Sequence, residues 1–231
     1  MIQTEIMQED EHLSPKRRLV PVFSANKDID QHRLTLSLAK AAAARGETVL
    51  MIDCVDGELL QTAGIIYHKT LADVFFRDAN MRDVKYVTSN EHFTALAAGK
   101  MSLDILLGSL AALSQEYDWV FVGVRQGCTP AHIRLASASD SSVICYSTAS
   151  DDFMRAYWMI DAIRRRHPGY DPLLMSFGER QYANETALML IETVKEFLGA
   201  PPTYIGHEQD PWIAPKTVIN LMEQAKIVRA A

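Results

Sequence analysis

Short apolar runs alternate with amphipathic stretches along most of this chain, and the alternation predicts strands separated by helices. LVPVF (Leu19 to Phe23) reads as a strand, and residues 31–45 read as a helix with Leu34, Leu38, Ala41 and Ala42 on one face. Gly46 is placed to end that helix. TVLMI (Thr48 to Ile52) is the next strand and runs into Asp53. FTALA (Phe93 to Ala97), a helix over 102–115 and WVFVGV (Trp119 to Val124) follow. WVFVGV is apolar almost throughout, as a strand covered on both faces must be. SVICY (Ser142 to Tyr146), a helix over 152–166, PLLMS (Pro172 to Ser176), a helix over 183–198, TYIG (203–206) and a helix over 216–229 complete the series.

Strands joined through helices imply right-handed crossovers and a parallel sheet. The fold class expected is α/β: a doubly wound, mainly parallel sheet with helices on both faces. No composition break divides it, so residues 19–231 read as one domain behind a flexible arm, residues 1–18. In such sheets ligands sit at the carboxyl ends of strands. The positions following Phe23, Ile52, Val122, Tyr146 and Met175 are where chemistry is sought.

Composition narrows the class. The 231 residues are 48% hydrophobic and 23% charged, with 23 Lys+Arg against 29 Asp+Glu for a net charge of −6. That balance excludes wholesale disorder, and its mild acidity argues against a dedicated nucleic-acid binder. No apolar run is long enough to span a bilayer. The opening segment lacks a positive-then-apolar signal pattern. Cys54, Cys128 and Cys145 follow no metal or redox spacing and read as reduced thiols, which together point to the cytoplasm. The seven histidines include no zinc-binding pair, and no G-x-S-x-G elbow is present.

The loop after the first strand, SANKDIDQH (Ser24 to His32), opens straight into a helix. A phosphate loop in that place needs glycines to bring backbone N–H groups together, a lysine for the phosphate charge and a hydroxyl for magnesium. This one has no glycine, and it carries Asp28 and Asp30. Two like charges about 4 Å apart repel by about 4 kcal/mol at an effective dielectric near 20, which Lys27 alone does not offset.

VFSANKDIDQHRLTLSLAKAAAARGETVLMIDC (Val22 to Cys54) nevertheless resembles the opening of the MinD/ParA family of deviant-Walker P-loop ATPases, which reads S-G-K-G-G-V-G-K-T in the loop and V-L-L-V-D in the second strand. With Arg45-Gly46 as the anchor, Ser24 keeps the family serine and Ala25 replaces the first glycine. Asn26 replaces the signature lysine, Lys27 and Asp28 the paired glycines, and Asp30 the last glycine. Gln31 replaces the loop lysine, and His32 the magnesium-binding threonine. Further on, TLADVFFRDANMRDV (Thr70 to Val84), FTALAAG and SSVICYSTASDDFMRAYWMI are similar to family segments in the family's order. YDWVFVGVRQGCTP (Tyr117 to Pro130) and the late FLGAPPTYIGHEQDPWIA resemble the flagellar-number regulator FlhG within it. Gly123 then stands at the Walker B aspartate, Ser176 where an asparagine often reads adenine, and Asp53 keeps the acidic end of the second strand.

What the resemblance implies is a pseudo-ATPase: no catalytic residues, no cofactor and no metal. The degenerate site comprises Asn26, Lys27, Asp28, Asp30, Gln31, His32, Asp53, Gly123 and Ser176. Asp53 has a simpler use as the cap of the following turn. The function implied is a regulator or adaptor working through protein contacts in flagellar number, flagellar placement or polar organisation. A partner would be an active relative, flagellar or polar machinery, or a second copy in a homodimer. The location implied is the cytoplasm, the cell pole or the inner membrane surface. Alternatives are a residual ATPase or tyrosine-autokinase-like protein of exopolysaccharide assembly, and a pilus or cell-division positioning factor.

Three further features bear on partners. Arg164, Arg165 and Arg166 form a basic run suited either to a helix end or to a surface patch. Trp212 stands in a proline-flanked loop and is an interface candidate. Residues 216–229 place Val218, Leu221, Met222, Ala225 and Val228 on one face, fitting packing onto the body better than weak membrane contact.

Overall fold

The computed structural model describes residues 18–26, 29–149, 152–210 and 215–230, with side chains of the last segment described through Glu223. Residues 1–17, Lys27, Asp28 and Trp212 lie outside the described residues, and with them most of the expected arm, two loop positions and one interface candidate.

Eight strands form one sheet: β1 Arg18–Ser24, β2 Val49–Cys54, β3 Tyr86–Val87, β4 Phe93–Ala97, β5 Trp119–Val124, β6 Val143–Ser147, β7 Leu173–Phe177 and β8 Thr203–His207. Their order is β3-β4-β2-β5-β1-β6-β7-β8, parallel throughout except for β3, which runs antiparallel to β4. The expected α/β architecture is therefore present. β1 begins at Arg18, one residue inside the expected arm, and β2 continues to Cys54, so Asp53 lies within a strand instead of after one. Pro21 sits in the interior strand β1; pairing to β6 starts only at Val22, so at Pro21 the strand has a single ladder, to β5.

The helices are α1 Gln31–Ala43, α2 Glu58–Thr62, α3 Leu71–Phe76, α4 Leu103–Leu113, α5 Pro130–Ala138, α6 Asp152–Arg164, α7 Ala183–Leu198 and α8 Pro215–Ala230. Alternate strand residues point to opposite faces and build two cores. Val20, Val22, Met51 and Phe121 pack with α1 and α8 on one face. Phe23, Leu50, Ile52, Val120 and Val122 pack on the other with residues of α4, α5, α6 and α7. Val218, Ile219 and Met222 of α8 are buried against the first core, so the described part of that helix packs onto the body. Glu223 adds ion pairs to Arg18 at 3.2 Å and Arg45 at 3.1 Å. Among the described residues no helix is long and apolar enough to cross a membrane.

Candidate functional site

The carboxyl ends of β1, β2 and β5 meet beside the start of α1. Register brings Gly123 opposite both Val22 and Asp53. A cleft of about 300 Å³ opens there, lined by Ser24, Asn26, Gln31, His32, Glu58 and Arg125 among others.

Most of its polar groups are turned on the protein itself. The Ser24 hydroxyl donates to the Asn26 carbonyl, and the Ala25 N–H donates to Cys145 O at 2.8 Å. Asn26 Nδ2 donates to the Asp152 carboxylate at 2.7 Å. Asp30, just ahead of α1, makes no side-chain cap and instead pairs with Arg33 at 3.0 Å. The Gln31 N–H bends back to Ile29 O at 2.9 Å. Gln31 is only 2% exposed; its Nε2 donates to Val124 O at 2.5 Å, and its Oε1 has no partner among the described residues. His32 Nε2 lies 3.0 Å from Glu58 Oε2. Across the cleft, Arg125 is ion-paired to Asp56.

Asp53 is 1% exposed and its carboxylate accepts three backbone N–H groups: Val55 at 2.7 Å, Gly57 at 3.3 Å and Leu60 at 3.0 Å. It pins the turn that carries the chain from β2 into α2. Asp56 and Gly57 make that turn with φ of 59° and 91°. A Cβ on Gly57 would come within 2.1 Å of the Tyr67 hydroxyl, so both conformation and space require glycine. Leu59, the second residue of α2, then lies over β5: a Cβ on Gly123 would sit 2.9 Å from Leu59 Cδ2.

The other expected residues fall elsewhere. Ser176 is fully buried on β7, with its Oγ 2.7 Å from the Tyr204 hydroxyl, and does not line the cleft. Of the two readings of the arginine run, Arg164 takes the helix-end one: it is buried and does not belong to a surface patch. Its guanidinium donates to Tyr170 O at 2.9 Å and Ala200 O at 2.6 Å, tying the end of α6 to the loops before β7 and β8. Arg165 is exposed and pairs with Asp161 on its own helix at 2.8 Å; Arg166 is exposed.

Sequence reasoning missed Leu59 and the Asp56–Arg125 pair. Helix α2 is only five residues long, too short for a periodic signal. It also missed His132, which lies on α5 beneath the β5 loop. Its Nδ1 accepts from the Thr129 N–H at 3.3 Å and its Nε2 donates to Arg125 O at 3.1 Å, which fixes the neutral tautomer with the proton on Nε2. The Thr129-Pro130 start of that helix was the legible clue.

Comparison at the level of sequence yields no matching family pattern and no matching curated protein. Comparison of folds is decisive. The MinC:MinD cell division protein complex of Aquifex aeolicus matches with a TM-score of 0.65 at 14% identity, over 93% of this chain and 96% of that one. The fold is that of the MinD/ParA ATPases. A ParA family ATPase from Chlorobium tepidum has a TM-score of 0.62 at 13% identity, covering 92% of this chain and 90% of that one. A Cyanothece McdA variant in complex with ATP has a TM-score of 0.64 at 14% identity, covering 91% and 88%. The MinD/ParA-type sheet thus accounts for nearly the whole chain.

Proposed function

We propose that this chain is a MinD/ParA-type protein whose nucleotide site has been given over to structure, and that it acts through protein contacts in place of an ATP-driven cycle. The observation that carries the reading is the packing of Leu59 over Gly123 beside Asp53. Magnesium needs oxygen ligands and retains waters. Here the position opposite Asp53 bears no side chain, a leucine covers it, and the Asp53 carboxylate is engaged by three backbone N–H groups.

The loop supports the same reading. Anion binding at a helix start depends on N–H groups aimed at the ligand. The amides of Ala25 and Gln31 are directed at protein carbonyls instead. Asn26 stands at the signature-lysine position and is held within the chain by Asp152. A side chain so anchored is not reaching towards a second subunit.

The solved neighbours include a MinC:MinD complex, which supports a protein partner for this chain as well. The role proposed is that of a regulator or adaptor of cell organisation, with flagellar number or placement, or polar organisation, as the setting. Its partner would be an active relative, the polar machinery or a second copy of the chain. The test is light scattering with and without ATP–Mg. The mass should be the same in both; a doubling driven by ATP–Mg would return the protein to the nucleotide-switched class.

A further inference from the structure

The geometry points to a second cavity, across the Asp56–Arg125 pair from the degenerate cleft, as a binding site for a small organic monoanion with an apolar body. This cavity holds about 490 Å³, within the range of small-molecule pockets. It lies at the carboxyl ends of β2, β4 and β5, under α4 and α5, where parallel sheets place ligands.

Its walls divide by chemistry. The floor is apolar: Ala98, Met101, Leu106 and Val124. The mouth carries Lys100, Arg125 and Asp56. Asp56 is already paired with Arg125, whereas exposed Lys100 has no hydrogen bond or ion pair among the described residues. Two cations against one carboxylate leave one positive charge uncompensated at the rim. His132 closes the inner end and adds no charge, because its Nδ1 accepts from Thr129 and its other nitrogen is bonded to Arg125 O.

The cavity is held open by backbone chemistry. Gly99 has φ +69°, and a Cβ there would meet Thr70 Oγ1 at 2.4 Å, so glycine alone lets the β4 end pass close to α3 and set Lys100 at the rim. A further cavity of about 570 Å³ shares Asp56, Gly99 and Lys100 and continues towards Phe76 and Arg77. Lys100 therefore stands where two lobes meet, suited to hold an acid group with an aromatic or aliphatic body laid on the apolar floor.

This inference does not depend on the loss of ATP binding, since the phosphate loop lines the other cleft. The probe is 8-anilinonaphthalene-1-sulfonate, an aromatic monoanion, titrated by fluorescence into the full chain labelled with ¹³C-methyl methionine. Saturable binding is expected, with a shift of the Met101 methyl signal, assigned with Met101→Leu, and none of the core Met51 signal. Lys100→Glu should weaken binding at least tenfold while leaving binding of the neutral N-phenyl-1-naphthylamine within twofold. Sulfonate affinity unchanged within twofold in Lys100→Glu, or saturation without movement of the Met101 methyl, overturns the proposal. Lys100 is on the surface, so the variant does not threaten folding.

Discussion

Leu59 occupies the space that a side chain on Gly123 would need: its Cδ2 lies 2.9 Å from where that Cβ would be. Both residues are fixed by their frame, Gly123 by the β2 and β1 ladders on either side and Leu59 by the Asp53-capped turn before α2. Gly123→Asp, which introduces the acidic residue the proposed correspondence expects there, should therefore destabilise the protein by about 3–5 kcal/mol, combining overpacking with an unpaired buried charge. Leu59→Ala in the same chain should recover at least about 0.5 kcal/mol as favourable coupling. Urea unfolding of the two single variants and the double variant measures this. Independent, additive effects would mean that Leu59 is not what fills the site.

The arginine run separates a structural role from a surface one. Arg164→Ala removes a buried guanidinium from the carbonyls of Tyr170 and Ala200 and should cost about 2–4 kcal/mol. Arg165→Ala, which breaks only an exposed pair within one helix, should stay within about 0.5 kcal/mol. Chemical denaturation of the two variants decides it, and equal effects would contradict the assignment.

The contrast also shows what a sequence can reveal about this chain. Trp119–Val124 and Phe93–Ala97 coincide with the observed β5 and β4, because strands covered on both faces leave a nearly continuous apolar run, interrupted in β4 by Thr94. Helices α1, α4, α6, α7 and α8 were legible from long periodic faces. Helices α2 and α3 are too short for a period, and the two-residue β3 is set by pairing with β4 and not by its own residues. At the site, a loop without glycine and carrying Asp28 and Asp30 was plain in the sequence. The use of Asp53 as a cap was legible too, because a short acidic side chain near the carboxyl end of a strand bonds the next turn. That Leu59 reaches β5, or that Arg164 turns inward while its neighbours do not, depends on tertiary placement that no local pattern encodes.

His132 gives the fold a pH dependence of defined sign. Burial holds its imidazole below the ordinary value of 6.5, against a smaller opposing effect of the bond to Arg125 O. As pH falls below 6.5, the unfolded chain binds a proton there while the folded chain stays neutral. The unfolded state then carries more protons, so stability declines from pH 6.5 down to the lower folded value and gains nothing from this residue above 6.5. Protonation would also set an N–H against the Thr129 N–H that Nδ1 now accepts. His132→Gln should flatten the decline in unfolding free energy between pH 7 and pH 5 (about the span over which free histidine titrates). An identical decline in both proteins would remove His132 as its source.

Thermal unfolding of the full chain with ATP–Mg in the millimolar range tests the central claim most directly. A ligand at about 100 times its dissociation constant stabilises by about 2.7 kcal/mol. In a chain of this size that raises the midpoint by about 5–10 °C. With Leu59 seated over Gly123 and Asp53 held by three backbone N–H groups, the midpoint should move by less than about 1 °C. A dose-dependent rise of several degrees that requires magnesium would contradict the account.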